Sequence, residues 1–515
     1  MQMRWLRRGS QILIFALFIF LFLQTEYKDN DVLPYAVNIF LRLDPLVAAA
    51  ATLASHTLIA LLWPALITVG LTLIFGRFFC GWVCPLGALL DCTSWLLGKK
   101  RPPRQLAPRL KQLKYLLLFA LAGSALFTLQ LVYLFDPISL LIRSLAVAVY
   151  PALNVMANTF FGVLYASDNG AITAVSEPVY TFLKAHFLAF EQPYFQSAIG
   201  VGLLFAGILA LEAISRRFWC RYLCPLGALF GLLARLPLIK RKVSEPDCSG
   251  CSLCARSCRM EAIAPEFIAT ERSECIGCFD CEAICPERAV NFGVAGATAA
   301  TTPDLSRRGL LTACALGAVA VPLFGAEASE KQGNPARIRP PGALPEKEFL
   351  ARCTRCGECM RVCIANGLQP AIFEAGAIGV WSPVLVSRIG YCEYNCTLCG
   401  QVCPTGAITR LQLAKKQEVK IGLADIDRSR CLPWNGNSEC IVCEEHCPTP
   451  VKAIRLREEE VYSVNSGTMI KVQRPYVDEK LCIGCGICET RCPLSDRSAI
   501  VVSCRGESRA EEKFG

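Results

Sequence analysis

The spacing of the cysteines constrains this chain more than any other feature. Of its 515 residues, 31 are cysteines, and 24 of these stand in quartets that repeat nearly the same spacing. A disulfide scaffold would be short and secreted, whereas this chain is long and 53% hydrophobic, so the quartets indicate metal binding. Repeated quartets favour iron–sulfur clusters over zinc.

The histidine count argues against haem. The chain contains three histidines, His56, His186 and His446, and no CxxCH motif. A membrane cytochrome b needs paired histidines, and a c-type cytochrome needs CxxCH. We therefore expect no haem, and we interpret His446, beside Cys447, as a loop residue near a cluster rather than an iron ligand.

Four apolar runs predict four membrane-spanning helices. They cover residues 9–24, about 57–76, 115–135 and 196–215, each near the roughly 20 residues that cross a bilayer. Lysines and arginines follow the second and fourth runs, whereas the other loops are acidic in balance, so the basic segments should be cytoplasmic. We therefore attribute the net charge of +10 to the orientation of the spans in the membrane rather than to nucleic-acid binding. Residues 138–165 are expected to form a helix at the membrane surface.

A duplicated motif follows the second and fourth runs. Cys80-Gly-Trp-Val-Cys84-Pro-Leu-Gly-Ala-Leu is repeated as Cys220-Arg-Tyr-Leu-Cys224-Pro-Leu-Gly-Ala-Leu, which predicts a duplicated hairpin. Positions i and i+4 share a helix face, so each motif should present two thiols, with the proline ending the helix. The four thiols are candidates for a further [4Fe–4S] cluster or for redox-active dithiols. Buried structural cysteines are the alternative.

Residues 241–295 carry the spacing of a two-cluster bacterial ferredoxin, in which the fourth cysteine of each quartet ligates the other cluster. Arg259 stands where a proline usually follows the fourth cysteine. The predicted ligand sets are Cys248, Cys251, Cys254 and Cys285 for one cluster, and Cys275, Cys278, Cys281 and Cys258 for the other.

Residues 348–515 contain four further quartets. By the same exchange of fourth ligands, we expect nested pairing, first quartet with fourth and second with third, and four clusters in a line. The expected sets are Cys353, Cys356, Cys359 and Cys492; Cys482, Cys485, Cys488 and Cys363; Cys392, Cys396, Cys399 and Cys447; and Cys431, Cys440, Cys443 and Cys403. Cys431 departs from the pattern through its stretched spacing to Cys440. Cys92, Cys314 and Cys504 are interpreted as incidental.

Residues 296–347 contain an internal export signal. Ser306-Arg307-Arg308-Gly-Leu-Leu precedes an apolar stretch and Ala326-Glu-Ala328, as in twin-arginine signals, and a linker follows. Because clusters are assembled in the cytoplasm, a domain that carries them must cross the membrane folded. We therefore expect a periplasmic C-terminal domain, anchored by a fifth span or released by cleavage after Ala328. A hydrophobic linker between two cytoplasmic domains is the alternative.

The predicted fold class is an α-helical membrane domain of four to five spans with a duplicated hairpin, followed by α+β ferredoxin-like iron–sulfur domains. The predicted boundaries are 1–240 for the membrane domain, 241–295 for the two-cluster ferredoxin, 296–347 for the signal and linker, and 348–515 for the four-cluster domain.

These motifs together resemble two families. Residues 1–292, with both CxxxCP motifs and a two-cluster ferredoxin, resemble the NapH membrane component of periplasmic nitrate reductase systems. Residues 306–500, with the twin-arginine signal and four quartets, resemble its partner, the NapG ferredoxin. The chain thus resembles a natural fusion. The resemblance implies quinol oxidation at the bacterial inner membrane and electron delivery through periplasmic clusters to a terminal reductase.

The predicted function is therefore that of a quinol dehydrogenase component in anaerobic respiration. It would hold six [4Fe–4S] clusters, or seven with the CxxxCP thiols, and would interact with the quinone pool and a periplasmic reductase or cytochrome. His56 and His186 are candidates for quinol proton transfer, although an ordinary interfacial role weighs more. The alternatives are a maturation factor that supplies electrons to a periplasmic metalloenzyme, and a pump-coupled complex that reduces cytoplasmic ferredoxin.

Overall fold

The structure is a computed structural model of the chain. It describes residues 2–28, 30–97, 108–167, 169–189, 191–234, 239–264, 266–294, 307–325, 334–436, 438–463 and 468–508. Ser306, the predicted cleavage site at residues 326–328 and most of the basic linker after the second apolar run lie outside these residues. The chain forms two compact units. Unit 1 comprises Met1–Gln24, Val37–Leu145 and Ile199–Gly325, and unit 2 comprises Thr25–Ala36, Ala146–Ala198 and Ala326–Gly515.

Unit 1 is mainly helical. Its α-helices are Gln2–Leu23, Ile39–Arg42, Pro45–Ser55, Ala65–Phe75, Phe78–Trp82, Pro85–Leu96, Leu113–Leu126, Pro137–Ser144, Ala198–Ala210, Pro225–Leu233, Leu253–Ser257, Asp280–Ile284 and Arg307–Gly325. Short 3₁₀ or π turns cover Ala60–Leu62, Pro108–Gln112, Val132–Leu134, Leu145–Val149, Leu211–Ala213 and Trp219–Leu223.

Two buried aspartates begin helices in unit 1. The Asp44 carboxylate accepts hydrogen bonds from the backbone N–H groups of Leu46 at 2.8 Å and Val47 at 3.2 Å. Asp136 accepts from the N–H of Ser139 at 2.7 Å. Each aspartate precedes a proline in the first turn, where the missing N–H costs no helical hydrogen bond. The Asp-Pro pairs therefore fix where these two helices start.

Among the described residues, two helices are long and apolar enough to cross a bilayer, Met3–Leu23 and Pro137–Ala166. Pro45–Ser55, Ala60–Phe75 and Ala198–Ala213 are apolar but shorter. Each predicted run thus contains a helix, while the number of spans stays a prediction. Residues 138–165, expected to form a helix at the membrane surface, lie within the apolar helix Pro137–Ala166, and their position relative to the membrane stays a prediction.

Helix Arg307–Gly325, which begins with the twin arginine, packs closely on helix Leu113–Leu126. A Cβ atom on Gly123 would lie 2.6 Å from the carbonyl oxygen of Cys314, so only glycine permits this approach. The Cys314 thiol is 3.7 Å from the carbonyl oxygen of Phe119. Small residues that let helix backbones approach are typical of packing between apolar helices.

The two-cluster segment of unit 1 is built on an antiparallel strand pair. Strands Ile239–Val243 and Val290–Val294 pair with Ile239 opposite Val294 and Val243 opposite Val290. The one-turn helices Leu253–Ser257 and Asp280–Ile284 lie between these strands in sequence. This is the α+β arrangement expected of a ferredoxin-type domain.

Unit 2 contains two longer helices and a domain of short elements. Its α-helices are Tyr150–Ala166, Gly170–His186, Glu346–Arg352, Glu358–Arg361, Leu398–Val402, Leu413–Glu418, Val442–Glu445 and Ile487–Arg491, with short turns at Ala377–Gly379 and Leu432–Gly436. Its strands pair antiparallel: Leu368–Pro370 with Pro383–Leu385, Leu423–Ile426 with Ile500–Ser503, and Ile454–Ser463 with Thr468–Val477.

Substituting Gly123→Val should separate the helices Arg307–Gly325 and Leu113–Leu126, because the new side chain would occupy the position of the Cys314 backbone. Maleimide labelling of Cys314, read by mass spectrometry, should become faster. Gly207→Val is the matched control, since a Cβ atom there meets nothing within 4 Å. Equal labelling in both variants would contradict the close packing.

Candidate iron–sulfur centres

The CxxxCP cysteines converge at the ends of apolar helices in unit 1. Cys80 lies in the short helix Phe78–Trp82 and Cys220 in the π turn Trp219–Leu223, whereas Cys84 and Cys224 are the N-caps of the next helices, Pro85–Leu96 and Pro225–Leu233. The first helix ends at Trp82 and the π turn at Leu223, before the prolines, as expected, but the prediction that both thiols of a motif share one helix face is wrong. Proline occupies the first turn of the next helix, where its fixed φ angle favours initiation.

All four thiols are buried, with at most 8% of each residue exposed. Cys84 and Cys224 lie close enough to Cys80 and Cys220 to interact electrostatically. The sulfur of Cys84 accepts a hydrogen bond from the Gly87 N–H at 3.4 Å, and that of Cys224 from the Gly227 N–H at 3.3 Å. The repeats therefore contribute equivalent thiols, each stabilised by a helix N-terminus.

Two arginines that the sequence analysis did not assign to this site complete the repeat. Arg77 and Arg217 stand three residues before Cys80 and Cys220, so the full repeat is Arg-Phe-x-Cys-x-x-x-Cys-Pro-Leu-Gly-Ala-Leu. Extending the comparison of the repeats by three residues would have found them. Both are buried, 0% and 1% exposed.

Arg217 reaches across to the other repeat. It donates to the carbonyl oxygens of Cys80 at 3.0 Å and Gly87 at 3.2 Å. Arg77 lies equally close to the second repeat, with its Nη2 2.7 Å from where a Gly227 Cβ would be. Two buried guanidinium groups beside four thiols are suited to hold a negatively charged thiolate-ligated group.

The ferredoxin segment of unit 1 forms a second centre. Cys258, Cys275, Cys278 and Cys281 line one small cavity, which agrees with the predicted exchange of Cys258. Cys254 lies near Cys248 and Cys251 and accepts a hydrogen bond from the Arg241 guanidinium at 3.6 Å. That Cys285 completes this second set stays a prediction. Arg259, in the usual place of a proline, forms ion pairs with Asp91 at 2.9 Å and Asp280 at 2.7 Å.

The loop that contains Cys275 contacts the first CxxxCP motif. A Cβ atom on Gly81 would lie 2.5 Å from the carbonyl oxygen of Ile276, and the indole N–H of Trp82 donates to the Gly277 carbonyl at 3.0 Å. The motif and the cluster loop therefore meet backbone to backbone. This contact makes the two centres neighbours within unit 1.

Glu274 holds this contact together. Its carboxylate accepts hydrogen bonds from Arg77 at 2.8 Å, Lys114 at 2.6 Å and Tyr115 at 3.1 Å, and all four side chains are buried. Burial alone would raise the pKa of Glu274, but the charges of Lys114 and Arg77 outweigh it and hold that pKa below its usual range. Glu274 is therefore ionised at neutral pH and neutralises two buried cations only in part.

Replacing Glu274→Gln should destabilise unit 1 by about 3–5 kcal/mol, because it leaves Arg77 and Lys114 buried without their counter-charge. The expected result is a lower temperature at which iron–sulfur visible absorbance is lost. Glu266→Gln, at an exposed position of the same segment, is the control. Identical midpoints for both variants would show that the buried network does not stabilise the domain.

The nested pairing expected for the C-terminal quartets is wrong. Cys363 lines one cavity with Cys392, Cys396 and Cys399, and Cys492 lines another with Cys431, Cys440 and Cys443. Cys403 lies among Cys353, Cys356 and Cys359, and Cys447 among Cys482, Cys485 and Cys488. The first quartet thus exchanges its fourth cysteine with the second, and the third with the fourth.

A shared local structure explains the consecutive pairing. In each C-terminal quartet the third cysteine lies in a short helix and the fourth follows that helix, as in Leu398–Val402 with Cys403 and Ile487–Arg491 with Cys492. The helix turns the fourth thiol away from its own quartet. There the sulfurs of Cys403 and Cys492 accept backbone N–H groups at 3.4 Å. Such bonds to the ligand sulfurs tune cluster potentials.

The four thiol sets of unit 2 follow one another in a line. Cys359 lies near Cys399, which links the first two sets, and Cys488 lies near Cys443, which links the last two. Between the pairs, the Cys392 N–H donates to the Cys485 carbonyl at 2.8 Å. The expected linear arrangement is retained, in the order of the sets that contain Cys359, Cys399, Cys485 and Cys443.

The stretched opening of the third quartet forms the π turn Leu432–Gly436. Its Trp434 indole N–H donates to the Pro475 carbonyl at 3.2 Å, and the guanidinium of Arg474 lies 4.6 Å from the indole ring. The insertion therefore anchors the hairpin of Ile454–Ser463 and Thr468–Val477 while Cys431 stays with its set.

The histidines agree with structural roles. The Nδ1 atoms of His446 and His186 lie 3.0 Å and 3.1 Å from backbone carbonyl oxygens one helical turn earlier. His56 ends the helix Pro45–Ser55 in the left-handed region, with φ at 52°. The interpretation of His446 as a loop residue is consistent with its exposed position.

Burial affects the protonation of the cysteine thiols. All 31 cysteines are free thiols. Among the described residues, no group of three or more His, Cys, Asp or Glu side chains is placed to hold a metal ion. Burial raises the pKa of Cys485 to about 12 and that of Cys363 to about 11. Both thiols are therefore protonated at neutral pH until a metal binds, and cluster assembly releases protons.

The consecutive pairing predicts a specific pattern of iron loss. Cys363→Ser should remove one cluster, about four irons, and the double variant with Cys396→Ser should lose no more. The double variant with Cys485→Ser should lose roughly eight irons, because it affects two clusters. Cys504→Ser is the control and should lose none. Nested pairing predicts the opposite result for the two double variants, so iron analysis decides between them.

Comparison with known proteins defines the class. A 4Fe-4S binding domain model matches residues 57–104 and again 197–244, so the duplicated segments belong to one domain family. A second 4Fe-4S binding domain model matches residues 475–494, around the fourth C-terminal quartet. The chain is an iron–sulfur electron-transfer protein. No solved structure matches it.

Individual relatives define the family. The ferredoxin-type protein NapG of Escherichia coli is 33% identical over 209 residues, 40% of this chain and 87% of that protein. The methylamine utilization ferredoxin-type protein MauM of Methylorubrum extorquens is 34% identical over 208 residues, 38% of this chain and 89% of that protein. The regulatory protein NosR of Pseudomonas aeruginosa is 31% identical over 235 residues, 26% of its length. The chain belongs to the NapG and MauM family of ferredoxin-type proteins.

Proposed function

We propose that this chain oxidises quinol at the cytoplasmic membrane and passes single electrons outward to a periplasmic reductase or electron carrier. One observation carries the proposal. Unit 2 combines the C-terminal four-cluster domain with Thr25–Ala36 and Ala146–Ala198, which the charge pattern assigns to outer loops. Unit 1 combines the two-cluster ferredoxin with the segments after the second and fourth apolar runs, which the same pattern assigns to the cytoplasm.

The predicted first outer loop is held by specific contacts to the second C-terminal quartet. Asp31 accepts hydrogen bonds from the N–H of Thr397 at 2.6 Å and from its hydroxyl at 2.7 Å. The Gln401 amide donates to the Asp31 carbonyl at 2.6 Å. Thr397 lies between Cys396 and Cys399. These contacts support a location of the cluster chain on the same side as the loop.

The predicted second outer loop makes equivalent contacts. The side-chain amides of Asn366 and Gln369 donate to the Tyr194 carbonyl at 2.8 Å and 2.9 Å. The guanidinium of Arg361 lies 3.7 Å from the Tyr150 ring and forms an ion pair with Glu26 at 3.5 Å. Both predicted outer loops therefore contact the four-cluster domain, which supports a periplasmic site for it.

We further propose that Cys80, Cys84, Cys220 and Cys224 hold a seventh [4Fe–4S] cluster. Four converging buried thiols, two buried arginines and the match to a 4Fe-4S binding domain support this assignment over a dithiol pair. When bound, such clusters supply one-electron carriers. The protein's own residues exclude water, neutralise charge through Arg77 and Arg217, and keep the site against the Cys275 loop. A centre there would help electrons to cross an apolar layer about 30 Å thick.

Protease accessibility tests the topology. In right-side-out spheroplasts, added protease should degrade residues 350–515 and leave the two-cluster segment intact, and inverted vesicles should give the reverse pattern. A C-terminal domain protected in spheroplasts and degraded in inverted vesicles would overturn the periplasmic assignment. It would favour the pump-coupled alternative that reduces a cytoplasmic acceptor.

Quinol-driven reduction in the same vesicles tests the donor. A short-chain menaquinol or ubiquinol analogue should produce the EPR signal of reduced clusters without dithionite. Normal reduction of the clusters, together with loss of cofactor from a periplasmic metalloenzyme when the chain is deleted, would favour the maturation-factor alternative. If quinol reduces none of the clusters, the proposed function is wrong.

A further inference from the structure

A large cavity lies next to the two-cluster ferredoxin and shares one wall residue, Cys275, with a predicted thiol set. Its volume is about 440 Å³, whereas those at Cys363, Cys431 and Cys258 are about 30 Å³ or less. Small-molecule sites typically measure about 300–1,000 Å³. Its lining combines the aromatic side chains of Phe78, Trp82, Phe279 and Phe292 with Arg241 and Ala269.

The walls of this cavity are aromatic. The rings of Phe78 and Trp82 are stacked with centroids 4.9 Å apart, and Phe279 meets Trp82 edge-on at 6.1 Å. Phe292 lies against Phe279 at 4.3 Å. Such surfaces favour a flat aromatic or quinonoid ring, which can stack on them. Cys275, a predicted cluster ligand, forms part of the same wall.

A buried arginine supplies polarity. Arg241 is 8% exposed, and its guanidinium donates to the Thr270 hydroxyl at 2.9 Å and to the Cys254 sulfur at 3.6 Å. Its Nε is buried and has no hydrogen-bond partner among the described residues. A buried donor without an acceptor is costly, so a ligand oxygen at this point would be stabilising. A quinone carbonyl is such an oxygen.

Both ends of the cavity suit an amphipathic ligand. Phe75 ends the apolar helix Ala65–Phe75 and is 41% exposed, and Met3 is 43% exposed in the apolar helix Gln2–Leu23. An isoprenoid tail can leave past these two residues toward lipid. On another side, Ile268 is 41% exposed and gives access to water.

We propose that this cavity binds the ring of the quinol, with Arg241 as hydrogen-bond donor and the aromatic walls as stacking surfaces. The inference rests on the proposed function and adds to it the place where the quinol binds. Oxidation to quinone releases two electrons and two protons. The thiol sets that include Cys275 and Cys254 would hold clusters able to accept one electron each, and the two protons would leave to water near Ile268.

Substitution Ala269→Trp tests the site, because the added indole fills the cavity without removing a side-chain contact. In membranes supplied with a decyl-quinol analogue, EPR-detected cluster reduction should slow by roughly tenfold or more. Glu266→Trp adds the same indole on the same loop but outside the cavity lining, so quinol should reduce the clusters of this variant at the wild-type rate. Dithionite should reduce equal cluster amounts in all three proteins, which shows that Ala269→Trp folds.

Photolabelling provides a readout independent of turnover. An aryl-azide benzoquinone should label the wild-type peptide from Ile268 to Phe279, and excess quinone should compete. Labelling confined to other segments, or a wild-type reduction rate in Ala269→Trp, would overturn this site while quinol oxidation stands. A wild-type protein that no quinol reduces would instead remove the proposed function and this site with it.

Discussion

The buried carboxylate of Glu274 is the interaction on which the organisation of unit 1 depends. It directly precedes the cluster ligand Cys275, and it pairs with Arg77, three residues before Cys80, and with Lys114 at the start of the helix Leu113–Leu126. Ion pairs removed from water are costly unless they are fully bonded, so this network tolerates little displacement. It therefore fixes the ferredoxin loop against the helix ends and holds the predicted ligand Cys275 close to the CxxxCP thiols.

A second network of ion pairs also joins a CxxxCP repeat to the ferredoxin segment of unit 1. Asp91 pairs with Arg217 at 2.9 Å and with Arg259 at 2.9 Å, and Arg259 also pairs with Asp280 beside Cys281. One network thus joins the first CxxxCP repeat to the Cys275 loop, and the other joins the second repeat to the short helix that carries Cys281. Electron-transfer rates depend steeply on distance, which gives a physical reason for rigid coupling.

Local features of the sequence predicted more than long-range ones. The exchange of Cys258 predicted from the cysteine spacing agrees with the structure, because it depends on a helix of one turn. Nested pairing failed since sequence patterns do not reveal which quartets share a strand pair; Leu423–Ile426 and Ile500–Ser503 enclose the third and fourth. The role of Arg77 was hidden because its partner, Glu274, lies almost two hundred residues away.

The composition of the two units gives a physical reason for joining both parts in one chain. Asp31 and Tyr194 contact the four-cluster domain through single hydrogen-bond networks, which alone would form a weak association between separate proteins. Because the predicted outer loops and the four-cluster domain belong to one chain, their association is intramolecular. Tethering converts docking into an intramolecular event with a high effective concentration. A few specific contacts between the predicted outer loops and the four-cluster domain are then sufficient to hold the loops against that domain.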